Sequence, residues 1–156
     1  MFPALHRLAA RVCLCLLLPC AASAEPSTGG PSMEAERIER GRYLAIAGNC
    51  ASCHTARDGA FLAGGLPFET PFGTLYSTNI TPDPETGIGR WSEAEFLASM
   101  RHGVRPGGEH LYPAFPYTAF TKVTDEDAAA LFAYLRSVPP VRRENAENAL
   151  SFPFGF

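Results

Sequence analysis

Cys50-Ala51-Ser52-Cys53-His54 is the stretch whose reading decides the fold. Two thiols three residues apart on one turn of backbone can each add to a vinyl group of a single haem. The imidazole after the second thiol then lies over the ring face, within reach of the iron. On this reading Cys50 and Cys53 attach the haem and His54 is its proximal ligand. Three plainer readings compete. A redox-active C-x-x-C belongs beside a strand-to-helix unit with βαβ patterning, and the flanking sequence has none. A zinc site needs further ligands from a second Cys or His cluster, and there is no second C-x-x-C. A structural disulfide between residues three apart is rare. The haem reading is preferred, and the compartment supports it.

The chain opens like an export signal. Arg7 and Arg11 supply a positive start, Val12 to Pro19 a short apolar core, and Ala22-Ser23-Ala24 a small-x-small cleavage site. The apolar run is too short for a bilayer, so residues 1–24 are expected to be removed after Ala24 and the mature chain to have no membrane span. Pro19 before Cys20 argues against a lipoprotein signal. Cleavage removes three of the five cysteines and leaves only Cys50 and Cys53, so no spare thiol can misoxidise in the periplasm. It also removes Arg7 and Arg11 but no acidic residue, taking the formal net charge from -3 to -5. A mildly acidic domain with no basic run argues against nucleic acid or anionic lipid as partner.

The 156 residues suit about one domain, and 14 glycines with 14 prolines predict long irregular stretches beside a few helices. Residues 25–33 read as a flexible leader and 34–140 as the domain. A helix from Glu34 to Asn49 has Ser32 as its cap and Gly41 and Gly48 on one face, spaced for another backbone to approach closely. Thr55 to Arg90 is broken every few residues by Gly or Pro, and a loop this long must pack on something; Phe72 to Tyr76 is a candidate short strand. Ser92-Glu93-Ala94-Glu95 is a capping box opening a helix that Gly103 closes. Trp91, just before it, either fills the core or donates its indole N–H to a haem propionate. Thr124 caps a last helix ended by Pro139-Pro140, the expected partner of Gly41 and Gly48. Residues 141–156 form a tail, charged and then phenylalanine-rich, that docks on the domain, on a partner, or on residues outside this sequence.

Helix, C-x-x-C-H, wrapping loops and closing helix together resemble a class I cytochrome c domain. The resemblance implies an all-α fold in which the first and last helices cross, here at Gly41 with Tyr134 or Leu131. Gly41-Arg-Tyr-Leu44, Asn49 to Thr55, Ala63-Gly-Gly65, Thr70-Pro-Phe-Gly-Thr74, Ser77-Thr-Asn-Ile-Thr-Pro-Asp83, Gly87-Ile-Gly-Arg-Trp91, Leu111-Tyr-Pro-Ala-Phe-Pro-Tyr117 and Thr124-Asp-Glu-Asp127 narrow it further. They look like one haem domain of the cytochrome c subunits that serve periplasmic alcohol, gluconate, aldehyde and nicotinate-type dehydrogenases. The likeness covers about residues 37 to 140 and implies one covalently attached haem c. Such a protein carries electrons from the dehydrogenase to a downstream cytochrome, oxidase or quinone.

Two departures bear on function. Relatives often carry further haem domains and a membrane-anchoring tail, whereas this sequence ends where their linker begins; it reads either as a single-haem protein or as a truncated frame. Many relatives also place a methionine, their distal iron ligand, where this chain has Phe115, which cannot bind iron. The remaining candidates are His110, Met100, His102 and Met33. His110 is preferred because it lies five residues before Phe115 on a loop that in relatives approaches the distal face. Met100 is the alternative, though it is spaced as part of its helix's buried stripe, and His102 points away from that stripe. With a histidine ligand the reduction potential is expected to lie below that of a His/Met relative. An open sixth position would instead suit a haem-based sensor or small-ligand binder. A peroxidase would need a distal acid/base pair. No catalytic triad, phosphate loop or dinucleotide fingerprint is present.

Overall fold

Ser32 opens the first helix: its hydroxyl accepts from the Ala35 amide at 3.2 Å, with Glu34 and Glu36 in the first turn. In the computed structural model, which describes residues 30–154, this helix is α1, Met33–Ala47. The expected export signal over 1–24, its cleavage site and residues 25–29 of the leader lie outside the described residues. Five more elements follow in the order α2 (Cys50–His54), β1 (Pro67–Thr70), β2 (Gly73–Tyr76), α3 (Glu93–His102) and α4 (Tyr117–Phe120). The chain then forms α5 (Asp125–Ser137) and β3 (Ala149–Leu150).

α1 and α5 pack against each other, and Gly41 is the reason they approach so closely. A Cβ on it would lie 1.9 Å from the Ala130 carbonyl oxygen and 2.7 Å from the Tyr134 Cβ. The expected contact with Tyr134 is present, joined by the Ala130 backbone rather than by Leu131. Gly48 does not share this role. It caps the end of α1, and the nearest atoms to an added Cβ come from Leu44, Cys50 and Phe120, so its small size serves the join to α2 and not the crossing. Ion pairs fasten the rim: Arg40 to Asp127 at 2.9 Å, Arg37 to Glu93 at 2.6 Å and Arg101 to Asp125 at 2.6 Å.

The capping box of α3 forms as read, with the Ser92 hydroxyl accepting from the Glu95 amide and the Glu95 carboxylate accepting from the Ser92 amide. Gly103 ends the helix in the left-handed conformation. Thr124 caps α5 through the Asp127 amide. The buried faces of α3 and α5 meet in a core of Phe96, Met100, Leu131, Phe132, Leu135 and Val138, joined by Leu62 and Ile88. Phe96 and Phe132 stack at 5.1 Å between centroids.

The all-α expectation needs correcting in one respect: the helices hold the core, but a three-stranded antiparallel sheet, ordered β1-β2-β3, stands beside them. Pro67–Thr70 pairs with Gly73–Tyr76 through the turn at Pro71 and Phe72, and Ala149 and Leu150 pair with Thr74 and Gly73. The segment after Pro140 is therefore bound to the body of the domain. Asn148 accepts from the Tyr76 amide at 3.0 Å and Asn145 from the Asn79 amide at 2.7 Å, while the Val141 carbonyl accepts from the Asn79 side-chain amide at 2.7 Å.

Asn79 explains how the irregular stretch keeps its shape. Its residue is 2% exposed, and its side chain donates to Thr86 Oγ1 and Val141 O and accepts from the Thr81 amide and hydroxyl. Buried polar groups are tolerable only when satisfied in this way. Asp83 continues the arrangement, accepting from the amide and hydroxyl of Thr86 and from the Glu85 amide. Side chains thus replace the backbone ladder that a loop lacks.

Candidate haem-attachment site

The site begins at the break between α1 and α2. Asn49 takes the left-handed conformation (φ 55°, ψ 35°), which asparagine tolerates better than most residues. It turns the chain so that Cys50–His54 makes one separate helical turn. Residues i and i+3 share a helix face, so the Cys50 and Cys53 thiols are presented together. Both are free thiols. Among the described residues no cluster of three or more His, Cys, Asp or Glu side chains is arranged to hold a metal ion. Burial pushes the Cys50 thiol above its ordinary value.

Among the described residues, His54 is held at one ring nitrogen and free at the other. Its Nδ1 lies 2.7 Å from the Thr78 carbonyl oxygen. A carbonyl only accepts, so Nδ1 carries the proton and Nε2 keeps its lone pair. Burial is the larger influence on the ring and lowers its pKa, opposed in part by the bond to Thr78. The result is a neutral imidazole with a fixed tautomer, the state a metal-binding histidine needs. The Thr78 carbonyl can approach because of Gly64, which has φ 72° and would place a Cβ 2.4 Å from the Thr78 carbonyl carbon. Gly64 in turn donates its amide to the His54 carbonyl at 2.7 Å. The Ala63-Gly64-Gly65 motif is therefore the seat of the histidine's backbone partner.

Around this turn the apolar surroundings are continuous. Cys50 and Ala51 pack against the core cluster together with Leu44, Ile80, Trp91, Phe115, Phe120 and Tyr134. Two thiols on one face, a neutral imidazole with a free Nε2, and an apolar aromatic surround match the attachment, ligation and burial that a haem requires. The residues present fit the group.

The other sequence-selected residues are spread more widely. Trp91 is partly buried and packs against the core cluster. Met100 is buried in the α3 stripe beside Phe96 and Leu131. Phe115 stacks on Phe120, with centroids 5.6 Å apart and planes 13° apart. His110 is exposed on a hairpin closed by its bridge to Val104 and by the Arg105 and Glu109 backbones. Its side chain makes no hydrogen bond or ion pair among the described residues. His102 is exposed at the end of α3, and Met33, 88% exposed, starts α1. Sequence reasoning missed Thr78, which contributes through its backbone carbonyl and so leaves no side-chain signature, although the Ser77 to Asp83 motif had marked its neighbourhood.

A model of the cytochrome c family matches residues 38–139, and the chain belongs to that family. Membership implies covalently bound haem c. A subunit of the nicotinate dehydrogenase of Pseudomonas putida is 57% identical over 143 residues, a match that takes in 90% of this chain and 12% of that protein. The fructose dehydrogenase cytochrome subunit of Gluconobacter japonicus is 48% identical over 84% of this chain and 28% of its own length. The gluconate 2-dehydrogenase cytochrome c subunit of Pantoea cypripedii is 50% identical over 74% of this chain and 26% of its own. The chain thus spans less than a third of the length of each of these three relatives. No helix among the described residues is long and apolar enough to cross a membrane.

Proposed function

We propose that this chain is a periplasmic electron-transfer component, not a catalytic subunit, carrying one haem c on Cys50 and Cys53. It takes electrons from a dehydrogenase and delivers them to the respiratory chain through a cytochrome, oxidase or quinone. The observation that carries the proposal is the His54 geometry: a neutral imidazole whose Nδ1–H is spent on the Thr78 carbonyl at 2.7 Å, directly after two free thiols. The likeness to cytochrome subunits of fructose and gluconate dehydrogenases supports a dehydrogenase partner. The single C-x-x-C-H supports a single haem, and the opening residues support export with cleavage after Ala24.

Bound here, haem c supplies a one-electron ferric/ferrous couple. The chain's own residues attach it through two thioethers, offer Nε2 of His54 to the iron, and exclude water with the apolar side chains around Cys50. For the distal position we propose His110. Met100 is already committed to the core between α3 and α5, whereas the His110 imidazole has no bond among the described residues to give up. Trp91 is proposed to reach a propionate from the rim of the same core. The substitution at Phe115 supports a second reading, a small-ligand binder with an open sixth position, since phenylalanine offers iron no ligand.

The test is to mature the full chain beside bacterial haem-ligation machinery and purify it from the periplasm. The expected product keeps its haem on a denaturing gel and is reduced by a partner dehydrogenase with its substrate. A colourless protein with both thiols open to alkylation overturns the proposal. Rapid carbon monoxide binding by the reduced protein would move the assignment to the ligand binder.

A further inference from the structure

The peptide group joining Thr78 to Asn79 is bonded at both ends. Its carbonyl accepts from His54 Nδ1 at 2.7 Å, and its N–H donates to Asn145 Oδ1 at 2.7 Å. Asn145 lies beyond the region matched by the family, in the segment that runs back along the Ser77 to Thr86 stretch. Its own amide donates to the Thr86 carbonyl at 2.9 Å, so the side chain is fixed at two points. The peptide it meets cannot easily turn away. Gly64 packs on one side of it, and the four hydrogen bonds of the Asn79 side chain hold its far end.

Hydrogen bonds in series polarise one another. An N–H that donates raises the negative charge on its own carbonyl oxygen, and that oxygen then draws more strongly on the next donor. Here the next donor is the Nδ1–H of His54. A stronger pull on that proton makes Nε2 a better electron donor, and the second partner of a metal-binding histidine is known to tune ligand basicity in this way. We propose that Asn145 is a positioning residue for His54: it orients and polarises the Thr78–Asn79 peptide and so sets the donor strength of the proximal imidazole. The inference rests on the haem-binding reading above and extends it to a residue that touches neither haem nor histidine.

Asn79 itself is 2% exposed, so once Asn145 is lost, water replaces its oxygen poorly at the Asn79 amide. Asn145→Leu is therefore expected to shift the holoprotein toward the ferrous state. The ferrous-to-ferric ratio at fixed applied potential should rise about threefold, a midpoint increase of roughly 30 mV at the ~59 mV per tenfold of a one-electron couple. The His54 Nδ1–H proton resonance should move upfield with it. Asn145→Asp keeps an acceptor and strengthens it while giving up the amide donated to Thr86; it should lower the midpoint and move the His54 Nδ1–H resonance downfield, which an added charge without the relay would not do. Asn148→Ala removes the neighbouring tail contact to Tyr76; it should cost stability and leave the midpoint unchanged.

An unchanged midpoint and resonance in Asn145→Leu would overturn the proposal, as would an equal shift in Asn148→Ala, which would mean that the tail acts by packing alone. If the leucine variant does not fold, the aspartate variant decides, and an unshifted midpoint there counts against the relay. Wild-type protein lacking covalent haem would sink the electron-transfer reading instead. The Nδ1–H resonance would then still report whether Asn145 acts on His54.

Discussion

Gly41 meets Ala130 so closely that a Cβ on the glycine would stand 1.9 Å from the alanine's carbonyl oxygen. The neighbour is backbone, which cannot swing aside as a side chain would. Gly41→Ala gains up to about 1 kcal/mol in helix propensity, and the overlap outweighs it. A separation of α1 from α5 also disturbs the core beneath them. The expected loss is about 3 kcal/mol or more, at or above the upper end for overpacked cores. Denaturant titration of the purified holoprotein measures it; a stability within about 1 kcal/mol of wild type, no more than the propensity term alone, would mean that the helices can part without cost.

The segment after Pro140 makes a second prediction. Val141, Asn145 and Asn148 supply partners to Asn79, Thr81 and Tyr76, and Leu150 pairs with Gly73. Stopping the chain at residue 140 strips those partners from groups that are largely buried, each worth about 1–3 kcal/mol when left unsatisfied. The truncated protein should lose about 3 kcal/mol or more on that basis, and amides from Tyr76 to Thr81 should exchange faster with deuterium. Unchanged exchange in that stretch would show the segment to be an appendage.

These two cases mark what could be read from the residues. Ser32, Ser92 with Glu95, and Thr124 announce helix starts through short-range side-chain chemistry, and the helices begin where they say. Gly41 betrays a close approach because glycine is costly inside a helix. β3 carries no comparable signal: it is two residues long and pairs with Gly73 and Thr74 across more than 70 positions of sequence. Asn145 and Asn148 look like ordinary surface asparagines until the fold sets Asn79 and Tyr76 beside them. The C-x-x-C-H motif marks the candidate site, but the oxygen that fixes His54 belongs to a backbone carbonyl, which any residue possesses.

Asp83 gives a pH dependence with a definite sign. The Thr86 amide and hydroxyl, followed by smaller contributions that include the Glu85 amide and Arg142, hold its carboxyl below the ordinary value. A depressed folded-state pKa means the stabilisation is fully present above the unfolded value and is lost as pH falls through the folded one. Asp83→Asn should therefore be less stable than wild type at pH 7. The gap should close as the medium is taken below the usual carboxylate range. Parallel unfolding curves over that range test it, and a gap that widens in acid contradicts the assignment.

The distal ligand separates two otherwise similar variants. Met100 is 7% exposed and packed in the α3–α5 core, so Met100→Leu, a volume-conserving change, should cost less than about 1.5 kcal/mol and leave the oxidised spectrum low-spin. His110 sits on an exposed hairpin and contributes little to packing, so His110→Ala should barely alter stability. If its imidazole binds the iron, however, that variant should turn the ferric spectrum high-spin and admit carbon monoxide rapidly on reduction, because Phe115 offers nothing in its place. Absorbance spectra of the two holoproteins at neutral pH decide it. A low-spin His110→Ala protein beside a high-spin Met100→Leu protein would transfer the role to the methionine and require α3 to turn its buried face toward the haem.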